Sequence, residues 1–126
     1  MKQVIQTEHA PAPIGPYNQA ILHGNTLYTS GQIALDPVSG KLVDENIEAE
    51  CKMVMKNLKA VLKAAAMDFE HVIKATIYLT NMQDFDAVNG VYANYFDAAI
   101  APARECIQVA ALPKGVRLEI SVVAAK

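Results

Sequence analysis

One amphipathic stretch, from Ile47 to about Met67, limits the fold of this chain more than any other segment. Ile47, Cys51, Val54, Leu58, Val61, Leu62 and Ala65 recur at steps of three and four, while Glu48, Lys52, Lys56, Lys59 and Lys63 fall mostly elsewhere. That spacing predicts a long helix with one apolar side, and the segments around it read as strands on which the side can be buried. Asn18 to Ser30 predicts two short strands, running to about His23 and from about Thr26, around a Gly24-Asn25 turn whose residues tolerate positive φ. Asp36-Pro37-Val38-Ser39-Gly40 marks a second turn, and a third strand is possible ahead of the helix.

After the helix, Val72 to Thr80 alternates, with Ile73, Ala75, Ile77 and Leu79 on one face and Lys74, Thr76, Tyr78 and Thr80 on the other. Phe85, Val88, Tyr92, Tyr95 and Phe96 form the stripe of a second helix, capped by Asn81 or Asp84 and weakened by ~1 kcal/mol at Gly90. Cys106 to Val109 is strand-like. The last strand, Val116 to Ala124, points Leu118, Ile120, Val122 and Ala124 one way and Arg117, Glu119, Ser121 and Val123 the other.

The order β-β-(β)-α-β-α-β-β in 126 residues predicts a single α+β domain over residues 1–126, a mixed sheet with both helices on one face. A chain of this size buries roughly two-thirds of its unfolded surface, enough for one core. Two helices cannot cover both faces of such a sheet. The residues left on the other face, among them Thr76, Tyr78, Ser121 and Val123, are half-apolar, which suits packing against another copy of the chain.

Composition excludes several partners. A net charge of −2 with no run of lysine or arginine offers no footprint for nucleic acid or an anionic membrane. No apolar run approaches the ~20 residues of a membrane span, and Met1 to Gln6 lacks the apolar core of a signal peptide, so a cytoplasmic protein is expected. Cys51 and Cys106 lie far apart without a CxxC, as expected of free thiols in a reducing compartment. His9, His23 and His71 show no metal-ligand spacing, so no metal is expected.

Chemistry concentrates in the last quarter. Pro102-Ala103-Arg104 leads into the Cys106 strand, and Leu112-Pro113-Lys114-Gly115 turns the chain into the strand of Glu119. Read as neighbouring β segments, these put one fixed cation beside one carboxylate. An arginine grips a carboxylate bidentately and a glutamate can hold a water, a minimal kit for hydrolysing a small anionic substrate without metal or cofactor. Each residue also has a plainer use, Arg104 in a surface ion pair and Glu119 as a cross-strand partner of Arg117 or a lysine.

Ile14-Gly15-Pro16-Tyr17-Asn18-Gln19-Ala20, Thr29-Ser30-Gly31-Gln32 and the stretch from Phe85 to Phe96, taken in order with the last quarter, resemble the RidA family over essentially the whole chain. These enamine/imine deaminases are also called the YjgF or L-PSP family. The resemblance implies a fold like that of the small bacterial chorismate mutases, assembled as a homotrimer whose sheets pack around a central barrel with an active site in each subunit cleft. It implies a cofactor-free 2-iminobutanoate/2-iminopropanoate deaminase activity, which would also take enamines such as 2-aminoacrylate and yield 2-oxo acids and ammonia. By resemblance Arg104 binds the substrate carboxylate, Glu119 and the backbone carbonyl of Cys106 orient the water, and Tyr17, Ser30, Gly31 and Asn89 shape the pocket. A module that only senses 2-oxo acids, and an RNA-cleaving inhibitor of translation, are the other readings; the second lacks a basic groove and a histidine pair. Asn18 and Glu105 depart from the family pattern, and strand alternation is expected to turn Glu105 away from Arg104.

Overall fold

The computed structural model describes residues 1–126. Its elements follow the order β1 (Lys2–Ile5), β2 (Ala20–His23), β3 (Thr26–Thr29), α1 (Ile47–Ala64), β4 (Val72–Leu79), α2 (Phe85–Tyr92), β5 (Ala103–Gln108) and β6 (Leu118–Ala125). The strands make one mixed sheet in the order β1-β2-β3-β6-β4-β5, in which only β4 and β5 are parallel. The hairpin forms as expected, with positive φ at Gly24 but not at Asn25, the pattern of a II′ turn. β1 carried too few residues to announce itself. The possible third strand is reduced to an isolated bridge between Leu35 and Leu42.

The helix ends follow local chemistry. Asn46 Oδ1 accepts a hydrogen bond from the Ala49 N–H at 2.8 Å, and Glu48 and Glu50 sit in the first turn of α1, where the helix dipole favours carboxylates. Ala66, in the left-handed region at φ 57°, stops α1 short of Met67. Asn81 rather than Asp84 supplies the cap ahead of α2, accepting from the Gln83 N–H in a 3₁₀ turn. Tyr95 and Phe96 continue the apolar stripe beyond the end of α2.

Both helices pack on one face of the sheet. Cys51, Val54, Leu58, Val61 and Leu62 of α1 are buried against the inward side chains of β4 and β6, among them Ile77, Leu79, Leu118 and Ile120. Each such side chain contributes about 1.5–3 kcal/mol on burial. One inward residue differs from expectation. A register shift between Val72 and Lys74 buries Val72 and leaves Ile73 53% exposed, because a bulge re-aims the side chain beside it. From Ala75 the alternation runs as expected.

Two further expectations are corrected. β5 and β6 are not neighbours, since β4 lies between them and pairs with both. Arg117 precedes β6 and points away from the open face. Its Nε donates to Glu50 Oε1 at 2.8 Å, its backbone N–H to Glu50 Oε2 at 2.9 Å and Nη2 to the Asp44 carbonyl at 3.0 Å. It is therefore unavailable to Glu119.

The face opposite the helices carries a row of aligned apolar side chains, Val4, Ile21, Tyr28 and Val123, contributed by four successive strands. Val4 is 46% and Tyr28 53% exposed. No helix is long and apolar enough to cross a membrane. Cys51 and Cys106 are free thiols.

Glu50 is 1% exposed, whereas solvent reaches the Arg117 side chain. Replacing Glu50 with alanine removes two charge-assisted bonds but leaves Arg117 partly hydrated, so the cost should be about 1.5–3 kcal/mol, below that of breaking a fully buried pair. Urea denaturation should show a lower midpoint at unchanged slope; an unaltered midpoint would mean that the pair is not a clamp.

Candidate active site

Arg104 stands opposite Ala75 in the parallel β4–β5 ladder, and Ala75 belongs to the core, so Arg104 rises on the helix side at the sheet edge. Its Nη1 donates to Asn89 Oδ1 at 2.7 Å. The guanidinium carbon lies 4.9 Å from the Tyr92 ring centroid and 5.6 Å from that of Phe85. Phe85, Asn89 and Tyr92 recur at i, i+4 and i+7 on α2, which brings them to one face. A cavity of about 460 Å³ opens here, lined by Arg104, Asn89, Tyr92, Phe96, Ala98 and Ala101 among others.

Glu119 stands opposite Tyr78 in the antiparallel β4–β6 ladder and, by pleat alternation with buried Leu118 and Ile120, lies on the open face. Its side chain rests on Gly31. A Cβ added there would overlap Glu119 Oε2 and come within 2.7 Å of Cδ and 2.9 Å of Cγ, so a larger residue at this position would push the Glu119 carboxyl aside. Burial pushes the Glu119 pKa above the usual carboxylate range. A second cavity of about 460 Å³ adjoins this spot, lined by Tyr17, Gly31, Gln32, Pro113 and Lys114 among others.

The walls of that cavity depend on Gln19, which is 3% exposed. Its Oε1 accepts from the Thr7 N–H at 2.7 Å, and Nε2 shares its two protons among the carbonyls of Thr7, Ala10 and Pro11 at 2.9 to 3.2 Å. Ser30 extends the same stitching, donating its hydroxyl to the Asn18 carbonyl at 2.6 Å and its N–H to the Gln19 carbonyl at 2.9 Å. The Ser30 hydroxyl proton is thereby committed, and only its oxygen lone pairs stay free. Tyr17 is 51% exposed, with its hydroxyl accepting from the Ile14 N–H at 3.4 Å.

Cys106 stands opposite Ile77 in edge strand β5. Burial raises its thiol pKa and the Arg104 charge opposes that rise only in part, so the sulfur stays protonated at neutral pH. Glu105 turns away from Arg104, as alternation predicts, and pairs with Lys74 Nζ at 3.3 Å and the Thr76 hydroxyl at 3.1 Å.

The structure therefore brings Arg104 to Asn89 and Glu119 to Gly31, but it does not bring Arg104 to Glu119. The expected side-by-side arrangement fails because β4 intervenes and the two side chains leave opposite faces of the sheet. Neither makes an ion pair within the chain.

With this arrangement in place, residues 7–126 match the sequence model of the family described as Endoribonuclease L-PSP. The chain belongs to the endoribonuclease L-PSP family. The L-PSP chain is 49% identical over 124 residues to the 2-iminobutanoate/2-iminopropanoate deaminase of Homo sapiens, a match covering 98% of this chain and 90% of the relative. Its fold is similar to the crystal structure of RidA from an Antarctic Psychrobacter bacterium, with a TM-score of 0.93 and 40% identity over 98% of this chain and 99% of that one. It is also similar to Escherichia coli TdcF with bound serine, with a TM-score of 0.92 and 38% identity over 98% of each chain.

Three features of this L-PSP chain escaped sequence reasoning. Gln19 was visible only as part of a motif, and its contacts with Thr7, Ala10 and Pro11 have no sequence signal. Phe85 and Tyr92 were read as core stripe. An amide flanked by two aromatic residues at i, i+4 and i+7 is the pattern that could have marked them.

The Glu119 shift has a consequence for stability. A carboxyl whose pKa is raised on folding contributes stability that is present below its unfolded pKa and lost as pH rises through the folded value. The ionised form is thus a burden at neutral pH. Glu119→Gln should raise Tm at pH 7, with the gain vanishing as the pH falls below the usual glutamate range. A Tm difference independent of pH would mean that the carboxylate is fully hydrated.

Proposed function

We propose that this L-PSP chain hydrolyses small 2-imino acids and their enamine tautomers, such as 2-aminoacrylate, to 2-oxo acids and ammonia, in a homotrimer whose clefts unite Arg104 of one subunit with Glu119 of the next. The observation that carries the reading is the division of the two charges. A cation on the helix side and a carboxylate on the open side, both without an ion-pair partner, each beside its own cavity, are half-sites that a neighbouring copy can complete. The row of exposed Val4 and Tyr28 with half-buried Ile21 between them supplies apolar surface for such a contact. The deaminase named among the relatives and the serine held by TdcF support an amino-acid-sized ligand with a carboxylate.

The chemistry then follows from the groups present. Arg104 takes the substrate carboxylate in its fork. Glu119 and the Cys106 backbone carbonyl hold a water against the imine carbon, and Glu119 accepts a proton as the oxygen adds. The resulting amino alcohol collapses to C=O as the nitrogen takes up that proton and leaves, and the ammonia carries off the hydroxyl proton as well; iminium and water become 2-oxo acid and ammonium, with atoms and charge balanced. Tyr17, Ser30, Gly31 and Asn89 shape the pocket, Ser30 through its backbone stitching. Imines already react with water, so positioning and charge stabilisation suffice. Phosphodiester cleavage draws no support from this site. The chain's histidines, His9, His23 and His71, are scattered in sequence, and His71 spends Nδ1 on the Asp68 N–H.

Three variants test the roles. Arg104→Lys keeps charge but loses the planar fork, so affinity for 2-oxobutanoate should fall by about 1.5–3 kcal/mol. Glu119→Gln should still bind while imine hydrolysis drops ~10²–10⁴-fold, and Cys106→Ala should stay active because only its carbonyl is used. Undiminished hydrolysis by Glu119→Gln would make the glutamate structural, and a parent that binds 2-oxobutanoate without speeding imine decay would favour the 2-oxo acid binding module.

Assembly has its own measurement. Sedimentation at micromolar concentration should give a trimer, and a monomer that still turns over imines would sink the shared cleft.

A further inference from the structure

Arg104 lies on an edge strand and is largely exposed, so little of the chain restrains its long side chain except one face of α2. That face is specific. Asn89 accepts one guanidinium N–H at 2.7 Å, the Tyr92 ring lies 4.9 Å from the guanidinium carbon and the Phe85 ring 5.6 Å from it. Aromatic faces attract a guanidinium electrostatically, and an arginine held before its ligand arrives loses less freedom on binding. We infer that Phe85 and Tyr92 are positioning residues, whose ring faces hold the Arg104 guanidinium in its carboxylate-binding orientation. The inference rests on the reading of Arg104 proposed above.

The two rings contribute unequally. Tyr92 is 6% exposed and nearer, whereas Phe85 is half-buried and farther away. The Tyr92 hydroxyl makes no hydrogen bond within the chain, so it is the ring that serves Arg104. Leucine at either position keeps apolar bulk but removes the quadrupole, and phenylalanine at 92 keeps the ring and removes the unpaired hydroxyl. The pattern separates a positioning role from packing alone.

Titration of 2-oxobutanoate into the full-length protein, with steady-state imine hydrolysis alongside, is the test. Tyr92→Phe should have a Tm at or above that of the parent and a Kd within about twofold of it. Tyr92→Leu should weaken binding roughly fivefold and Phe85→Leu two- to threefold, as expected for contacts of this kind at an exposed cation. KM should rise by the same factors with kcat little changed, since a contact used equally in ground and transition state acts as uniform binding. A folded Tyr92→Leu that binds like the parent would overturn the inference, as would a Tyr92→Phe that binds as poorly as Tyr92→Leu. If Tyr92→Leu does not fold, Phe85→Leu decides, and a parent-like Kd there overturns it. Arg104→Ala serves as the separate arm: parent-like binding by it would overturn the carboxylate reading and this inference together, whereas weakened binding by it alongside intact Tyr92→Leu and Phe85→Leu overturns only the inference.

Discussion

Everything in this fold hangs on the insertion of β6 between β3 and β4. The hairpin side of the sheet, β1-β2-β3, and the crossover side, β4-β5, meet only through this last strand. Its inward residues Leu118, Ile120, Val122 and Ala124 are all buried under the helices, and its outward residue Glu119 is the carboxylate proposed to act on water. The same backbone that completes the core therefore aims the carboxylate. Glu50 fastens the entry to this strand by taking both the backbone N–H and the Nε of Arg117, so α1 fixes where β6 begins.

That insertion also explains how Gly31 comes to lie against the Glu119 side chain. Gln32 and Ile120 exchange backbone hydrogen bonds, which draws the segment after β3 against β6 and leaves Gly31 beneath the Glu119 side chain. The carboxylate loses hydration on one side without gaining a cation, and its pKa rises. A carboxylate in that condition is a better proton acceptor than a free glutamate at neutral pH. Close packing and the raised proton affinity have the same cause here.

Local periodicity was enough to read much of the fold. α1 spans nearly the predicted residues because seven apolar positions at helical spacing leave no competing period, and the alternation of β6 named its buried face correctly. Glu105 faces away from Arg104 for the same reason. Other features could not be read this way. A single-residue bulge at Ile73 breaks alternation without changing composition, and the hydrogen bonds of Gln19 and Ser30 join residues 8 to 12 positions apart through backbone groups that are the same in every sequence.

By itself the sequence determined the inventory: two amphipathic helices, a sheet with one buried face, an arginine and a glutamate on strands, and the family motifs that connect them. Periodicities of 2 and 3.6 are local properties, so they survive in one dimension. Only the tertiary structure decided that β4 separates β5 from β6, that Arg104 and Glu119 leave opposite faces, and that α2 rather than a neighbouring strand holds the arginine. Strand order follows from which pairings and crossovers bury the most apolar surface together, a global competition that no local window of residues records.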